Sequence, residues 1–393
     1  MRLHCKRIYC EAGCKEGVLE FNGSKITAID SQNSHFDYEL GEYLIIPGLI
    51  DIHTHGFKTY RSQSREMDNY QMLSLAMASQ GVSGFLVTAG EHNKEEMEEL
   101  QTIAKVMEQG TNGARILGIH MEGPFLNPLK KGSFMDEQLL ELDIKKMEEY
   151  IKQSNHQIKY VSFAPELDKD GSFIRYLKSQ NILVGGVHTN ATYEEYRKAI
   201  EFGLDSSAHM GNGMSQITNR EVNALGASLL DEELYCEIIC DMIHLSKEML
   251  QIVLKMKNWN RCMMVSDSGQ LSGMPAGKYR IHHQNRIICE DGRIILEDGG
   301  IAGSSKTLLQ DIICMRERLN LSLEDLLRFT SYNQADFLNL VSDKGSIAKG
   351  KDADFVIVDQ DLNVLATFVE GKCVYQKGKT EIVYDEGRVQ RLG

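Results

Sequence analysis

Two histidines one residue apart, His53 and His55 in Asp51-Ile-His-Thr-His-Gly56, follow the apolar run Leu44-Ile-Ile-Pro-Gly-Leu-Ile50. Side chains alternate faces along an extended chain, so this pair projects to one side, as two ligands of one metal ion require. Further along, single polar residues close short apolar runs. They are Glu122 in Ile119-His-Met-Glu-Gly-Pro124, His188 in Gly185-Gly-Val-His-Thr-Asn190, His209 in Ser206-Ser-Ala-His-Met210 and Asp267 in Met264-Val-Ser-Asp267. Taken singly, each reads most simply as a polar cap on a buried strand. Taken together, imidazoles and carboxylates are the donors that suit Zn²⁺ or Fe²⁺, and a catalytic site built from them keeps a position open for water. The chemistry such a set supports is metal-assisted hydrolysis.

The elements that must position these residues follow a regular rhythm. Short apolar or β-branched runs read as strands over Leu49–His53, Gly84–Thr88, Arg115–Glu122, Ile158–Ala164, Ile182–His188, Leu204–His209, Leu234–Asp241 and Arg261–Asp267. Charged stretches with helical patterning lie between them: Asn69–Gln80, Lys94–Gln109, Asp136–Gln153, Asp170–Ser179, Thr192–Glu201 and Ser246–Lys257. Such alternation predicts an α/β fold, a (β/α)8 TIM-like barrel, in which all strand C-termini open on one face. That topology brings His53, His55, Glu122, His188, His209 and Asp267 to one mouth. Both chain ends read instead as short strands punctuated by Gly and Asp: Arg2–Tyr9, Gly17–Phe21 and Lys25–Asp30, then Phe355–Asp359, Val364–Val369 and Lys372–Gln376. We expect a small β-sandwich domain from residues 1–48 and 346–393 beside a barrel of 49–345.

Composition removes several alternatives. The 393-residue chain carries 56 Asp and Glu against 43 Lys and Arg, a formal charge of −13, which disfavours a polyanionic nucleic-acid partner. No run approaches the ~18 apolar residues of a membrane span and the N-terminus lacks a signal-type apolar stretch, so no membrane association and a cytoplasmic location are expected. Nine scattered cysteines argue for reduced thiols over a disulfide framework. Cys236 and Cys240 read as small core residues, and His120, two positions before Glu122 on the same face, reads as a deeper supporting histidine.

On these residues the chain resembles the amidohydrolase superfamily, and within it the N-acetylglucosamine-6-phosphate deacetylase family. The resemblance runs from Pro47-Gly-Leu-Ile-Asp-Ile-His-Thr-His-Gly56 to Lys344-Gly-Ser-Ile-Ala-Lys-Gly-Lys-Asp-Ala-Asp-Phe-Val-Ile-Val358. Its most specific segments are His120-Met-Glu-Gly-Pro-Phe-Leu-Asn127 with Lys131-Gly132, His188-Thr-Asn-Ala-Thr192, His209 through Asn212 to Arg220, and Asp241-Met-Ile-His244. It implies a barrel with a β-sandwich, hydrolysis of the acetamide of N-acetylglucosamine 6-phosphate in amino-sugar catabolism, and a homodimer. It also implies one or two divalent ions per chain, Zn²⁺ first and Fe²⁺, Mn²⁺ or Co²⁺ as alternatives. Carried over by position, Glu122, His188 and His209 are the ligands of the ion common to all members, and Asp267 is the catalytic acid and base. His53 and His55 are the pair that lets some members hold a second ion. No lysine ends the fourth strand, where related enzymes form a carbamylated bridge; Lys159 starts it, so Glu122 has to do the bridging. Ser133, Asn212, Gly213, Arg220, His244, Ala302, Gly303 and Ser304 match substrate-contacting positions. Arg220 is expected to serve the phosphate, in its own or the neighbouring subunit.

The chain also departs from the family's usual pattern. Phe134 stands where a polar His or Gln is common, Ser268-Gly-Gln-Leu-Ser272 replaces a small-residue run after Asp267, and Asn212-Gly-Met214 and Asn333-Gln-Ala335 each differ at one position. None removes a ligand. They leave open the identity of the sugar, and with it two other readings: deacetylation of another N-acetylhexosamine phosphate such as the galactosamine epimer, and a sugar-phosphate sensor without turnover.

Overall fold

Burial is nearly continuous along the central strands, the pattern of a parallel sheet covered on both faces; Val82–Ala89 has no exposed residue. The computed structural model describes residues 1–30, 35–281, 284–297, 299–382 and 388–392. Eight parallel strands follow one another in chain order around a barrel: β1 (Leu49–Asp51), β2 (Val82–Ala89), β3 (Arg115–Glu122), β4 (Ile158–Phe163), β5 (Leu183–Gly186), β6 (Ser206–Ser207), β7 (Tyr235–Ile238) and β8 (Cys262–Met264). Closure from β8 to β1 uses the Asp267 N–H donating to His53 C=O at 3.0 Å and a parallel bridge between Thr54 and Ser268. Helices α1 (Met67–Ala78), α2 (Glu96–Gln109), α3 (Ile144–Gln153), α4 (Ser172–Ser179), α5 (Tyr193–Phe202), α6 (Asn223–Leu230), α7 (Lys247–Met256) and α8 (Leu308–Leu319) connect or flank the strands. The start of α5 is set by a capping box in which Thr192 and Glu195 satisfy each other's backbone N–H groups.

The expected strands are present but several are shorter. Leu204–His209 reduces to Ser206–Ser207, Leu234–Asp241 to Tyr235–Ile238 and Arg261–Asp267 to Cys262–Met264. The first and third stop short of His209 and Asp267, which turn into left-handed backbone at φ 25° and 44°, as His188 does at φ 43° after β5. Non-glycine residues adopt that region at a cost and concentrate there at functional sites. The helix expected over Asp136–Gln153 begins only at Ile144, where the Asp143 side chain caps the Lys145 N–H; Asp136–Gln138 is a separate short turn.

Both chain ends build a second eight-stranded sheet. Arg2–Cys10 pairs with Gly13–Asn22, which pairs with Lys25–Asp30; Leu44–Pro47 links Arg2–Cys10 to Phe355–Val358, followed by Val364–Val369 and Lys372–Gln376. The sheet curls on itself, since Phe21 near one end meets Phe355 at 5.4 Å and Phe368 at 5.9 Å between ring centroids. A third, five-stranded sheet joins Gly277–Ile281, Gln284–Ile288, Arg293–Leu296 and Ile301–Ser304 to Gln390–Leu392. The expected organisation assigned no strands to 277–304 and placed 390–392 in the terminal module. The signal that identifies this region is Asp291-Gly292, where Gly292 at φ 89° turns the chain between two antiparallel strands. No helix among the described residues is long and apolar enough to cross a membrane.

Candidate active site

Glu122, the last residue of β3, sits at the centre of the barrel mouth with its side chain 2% exposed. Its two oxygens face different histidines. Oε1 lies 2.9 Å from His209 Nε2 and 3.3 Å from His188 Nε2, while Oε2 lies 3.1 Å from His55 Nε2 and 3.5 Å from His53 Nε2. Asp267 completes the ring: its Oδ1 is 3.4 Å from His55 Nε2 and 3.8 Å from His53 Nε2. The structure therefore brings together all six residues expected at the mouth. Two overlapping groups, His53 with Glu122 and His209, and His53 with His55 and Asp267, place their donor atoms close enough to hold an ion. The Nε2 of His53 is buried without a hydrogen-bond partner among the described residues, so the donor set fits a metal that would use that lone pair.

The electrostatics point the same way. Burial would raise the Glu122 carboxyl, but the imidazoles, His53 foremost, hold it well below the usual carboxylate range. Asp267 is likewise pushed up by burial, yet its bond to His55 and the charges of His53 and His55 bring it down to about 2. Burial works against protonating His55, but Asp267 and Glu122 lift it to about 9. The mouth thus attracts positive charge into a water-poor place, which a divalent cation supplies more completely than protons. His120 behaves differently: burial and the neighbouring His53 drive it well below 6.5. Its ring stacks on Tyr160 at 4.2 Å and its Nε2 meets Ser162 Oγ at 2.8 Å, one layer below the ligands.

Two of the ligand candidates, His188 and His53, are held from behind. His188 Nδ1 bonds the Lys130 carbonyl at 2.7 Å, which aims Nε2 at Glu122. Gly132 and Gly213 flank that ring so closely that a Cβ at either would come within 2.7 Å and 2.6 Å of it, and both have positive φ. Glu166, after β4, accepts from Asn127 Nδ2 at 2.9 Å, from Asn190 N–H at 2.7 Å and from the Thr189 hydroxyl, tying the loops after β3 and β5 together. Glu237 on β7 lies 2.7 Å from His53 Nδ1 with both side chains fully buried. Sequence reasoning passed over Glu166 and Glu237; the available signal was a carboxylate at or inside an otherwise buried apolar strand. Lys159 is exposed at the start of β4, away from the mouth.

The expected substrate positions divide. His244 Nδ1 bonds Asp241 Oδ2 at 2.7 Å, and Ser304 Oγ donates to the same oxygen at 3.0 Å, so Ser304 holds the His244 loop. Gly303, at φ 75°, passes beside the Asp267 carbonyl, and Ala302 next to it is buried. At Asn212, one of the expected substrate positions, the N–H donates to His209 C=O at 3.0 Å and helps form the left-handed turn there. Ser133 is exposed, as is Arg220 on the loop between β6 and α6. Phe134 stands edge-on to His188 at 5.5 Å and packs with Leu126, Val187 and Ala208. The 268–277 segment lies against residues 54–60: Ser268 Oγ is 2.8 Å from Thr54 Oγ1, and Thr59 N–H donates to Gln270 C=O at 2.7 Å.

A barrel whose strand ends carry this set defines a hydrolase architecture, and the chain belongs to the amidohydrolase family, which matches residues 44–374. That family is metal-dependent, and the Glu122-centred cluster is its candidate metal group here. Among curated relatives, the N-acetylglucosamine-6-phosphate deacetylase of Vibrio furnissii is 30% identical over 361 residues, covering 91% of this chain and 90% of its own length. The N-acetylgalactosamine-6-phosphate deacetylase of Escherichia coli O157:H7 is 29% identical over 330 residues, covering 84% and 87%. The crystal structure of N-acetylglucosamine-6-phosphate deacetylase from Thermotoga maritima superposes with a TM-score of 0.85 at 29% identity, over 96% of this chain and 100% of that one.

Proposed function

We propose that this protein is a metal-dependent deacetylase that hydrolyses the acetamide of N-acetylglucosamine 6-phosphate to glucosamine 6-phosphate and acetate, in amino-sugar catabolism. The observation that carries this reading is the division of Glu122 between two imidazole pairs, with Asp267 beside it, in a chain similar along nine-tenths of its length to a relative named for that reaction. Glu122, His188 and His209 would hold one divalent ion, and His53 and His55, with Asp267 beside them, would hold a second. Zn²⁺ is the first assignment on donor type. An ion held there supplies Lewis acidity, acidifying water and polarising an amide carbonyl.

Asp267 is the more exposed of the two carboxylates in the ring, 14% of its side chain against 2% for Glu122. It takes the proton of the attacking water and returns it to the departing amine, which one carboxylate does when both lie within hydrogen-bond reach. His244, steered by Asp241, binds the sugar, and the Gly213 N–H is offered to the phosphate. Arg220 provides a guanidinium fork for the phosphate, from its own or a neighbouring subunit of a homodimer. Ser133, Asn212 and Ala302–Ser304 shape the rest of the substrate site. The curled terminal sheet serves as a small β-sandwich domain of residues 1–48 and 346–393, less the strand Gln390–Leu392 that pairs with Gly277–Ile281, against the barrel of 49–345, in a cytoplasmic enzyme.

A second reading, the galactosamine epimer, is favoured by the near-equal identity of the E. coli relative named for that sugar. Free-amine release from N-acetylglucosamine and N-acetylgalactosamine, each with and without a 6-phosphate, decides between them. Fastest release from N-acetylglucosamine 6-phosphate is expected. Faster release from the galactosamine phosphate would move the assignment to that epimer, and no release from any of the four would sink the enzyme reading.

A further inference from the structure

Glu237, on β7 below the barrel mouth, is fully buried. We propose that Glu237 is a positioning residue that commits His53 to the second metal ion; the inference rests on the two-ion reading above. Geometry carries it. His53 Nδ1 lies 2.7 Å from Glu237 Oε2, and a carboxylate at that distance accepts the ring proton. The lone pair is thereby left on Nε2, across the ring, facing Glu122 Oε2 at 3.5 Å and Asp267 Oδ1 at 3.8 Å and unpartnered among the described residues. A carboxylate behind a ligating imidazole fixes ring orientation and tautomer and strengthens the donor.

Glu237 itself is fixed from two sides. Its Oε2 accepts the His209 N–H at 3.2 Å, and its own carbonyl accepts the Met210 N–H at 2.9 Å, so β7 registers it against the loop that carries His209. The contrast with His188 is informative. There a neutral main-chain carbonyl, that of Lys130, suffices to orient the ring. Behind His53 stands a full carboxylate with no exposed surface and with Oε1 unpartnered among the described residues, a costly burial unless cationic charge lies close by. A cation on the far side of His53 accounts for that placement; a merely space-filling role does not.

The test uses the full chain reconstituted with Mn²⁺. Equilibrium dialysis and elemental analysis count the ions, and electron paramagnetic resonance reads the magnetic coupling of two adjacent Mn²⁺ ions. Wild type is expected to bind two coupled ions. Glu237→Gln, close in shape, is expected to keep the ion of Glu122, His188 and His209 at unchanged Kd. Its other Kd should rise roughly 10–100-fold, the usual scale for losing such a partner, with loss of the coupled signal. In a His53→Asn background the same change is expected to add nothing. Should Glu237→Gln fail to fold by circular dichroism, Glu237→Asp is read in its place. Two ions at wild-type affinity in the variant would overturn the proposal alone, as would equal weakening of both ions, the mark of a structural role through the His209 backbone. A wild type with one ion would overturn the two-ion reading and this inference together.

Discussion

The barrel mouth and the terminal sheet both bury charge, but they treat it in opposite ways. Beside the terminal sheet, Lys344 Nζ bridges Asp352 at 2.9 Å and Asp354 at 2.8 Å, and Asp354 also accepts the Glu370 N–H at 2.6 Å. Around the mouth, His53 Nε2, His209 Nδ1 and Glu237 Oε1 have no partner among the described residues, and three residues sit in left-handed backbone. Buried polar atoms are nearly always satisfied in folded proteins. The comparison teaches that the mouth is incomplete by itself in a way the terminal sheet is not, and what would complete it is a ligand.

The largest effect that could break this comparison comes from the ligands. His188→Ala or His209→Ala is expected to abolish metal and turnover together, whereas His53→Asn with His55→Asn should remove at most a second ion; elemental analysis alongside amine release checks both. Full metal and turnover in the His188 variant would overturn the site assignment. Next in size, Asp267→Asn should leave fold and the first ion nearly intact and depress kcat by roughly 10² or more, the scale of a lost acid–base group. Arg220→Ala should act more narrowly, raising KM for the phosphorylated substrate about tenfold or more while slow turnover of the unphosphorylated sugar barely changes. Equal losses on both substrates would show that Arg220 does not read phosphate.

Much of the mouth was legible because its residues announce themselves one at a time at strand ends. His53, Glu122, His188, His209 and Asp267 each follow an apolar run, and barrel topology does the converging. The supporting residues were harder to read, since their meaning depends on a partner far away in sequence. Glu237 looks like a misplaced acid until His53, 184 positions earlier, is set against it. The 277–304 sheet was harder to place: Lys278-Tyr-Arg-Ile281 does alternate exposed and buried residues, but its strands are short and charged, and one of them, Gln390–Leu392, arrives from the other end of the chain. The strand ends at His188, His209 and Asp267 were overextended because left-handed turns at non-glycine residues leave no mark on the sequence.

The smallest effect sharpens the comparison one layer beyond the site. Asp311 on α8 is fully buried with neither carboxylate oxygen partnered among the described residues, the counterpart of the well-paired Asp354. Burial first, and then the charge of Asp241, push its carboxyl well above the usual carboxylate range; Lys306 offsets this only in part, its ammonium being engaged with the Asp241 carbonyl and Cys314 Sγ. An acid whose pKa is higher folded than unfolded contributes fully to stability below its unfolded pKa of about 4 and loses that contribution as pH rises toward the folded value. Asp311→Asn, which cannot ionise, removes this component. Urea unfolding of wild type and variant at pH 5, 6, 7 and 8, with metal held constant, should therefore show a difference that grows with pH in favour of the variant, by at most about 1.4 kcal/mol per pH unit for one proton. Activity should be unchanged, because Asp311 touches neither ligands nor substrate positions. Parallel stability curves would mean that Asp311 is solvated or paired like Asp354, and that the unmatched polar layer stops at the ligands.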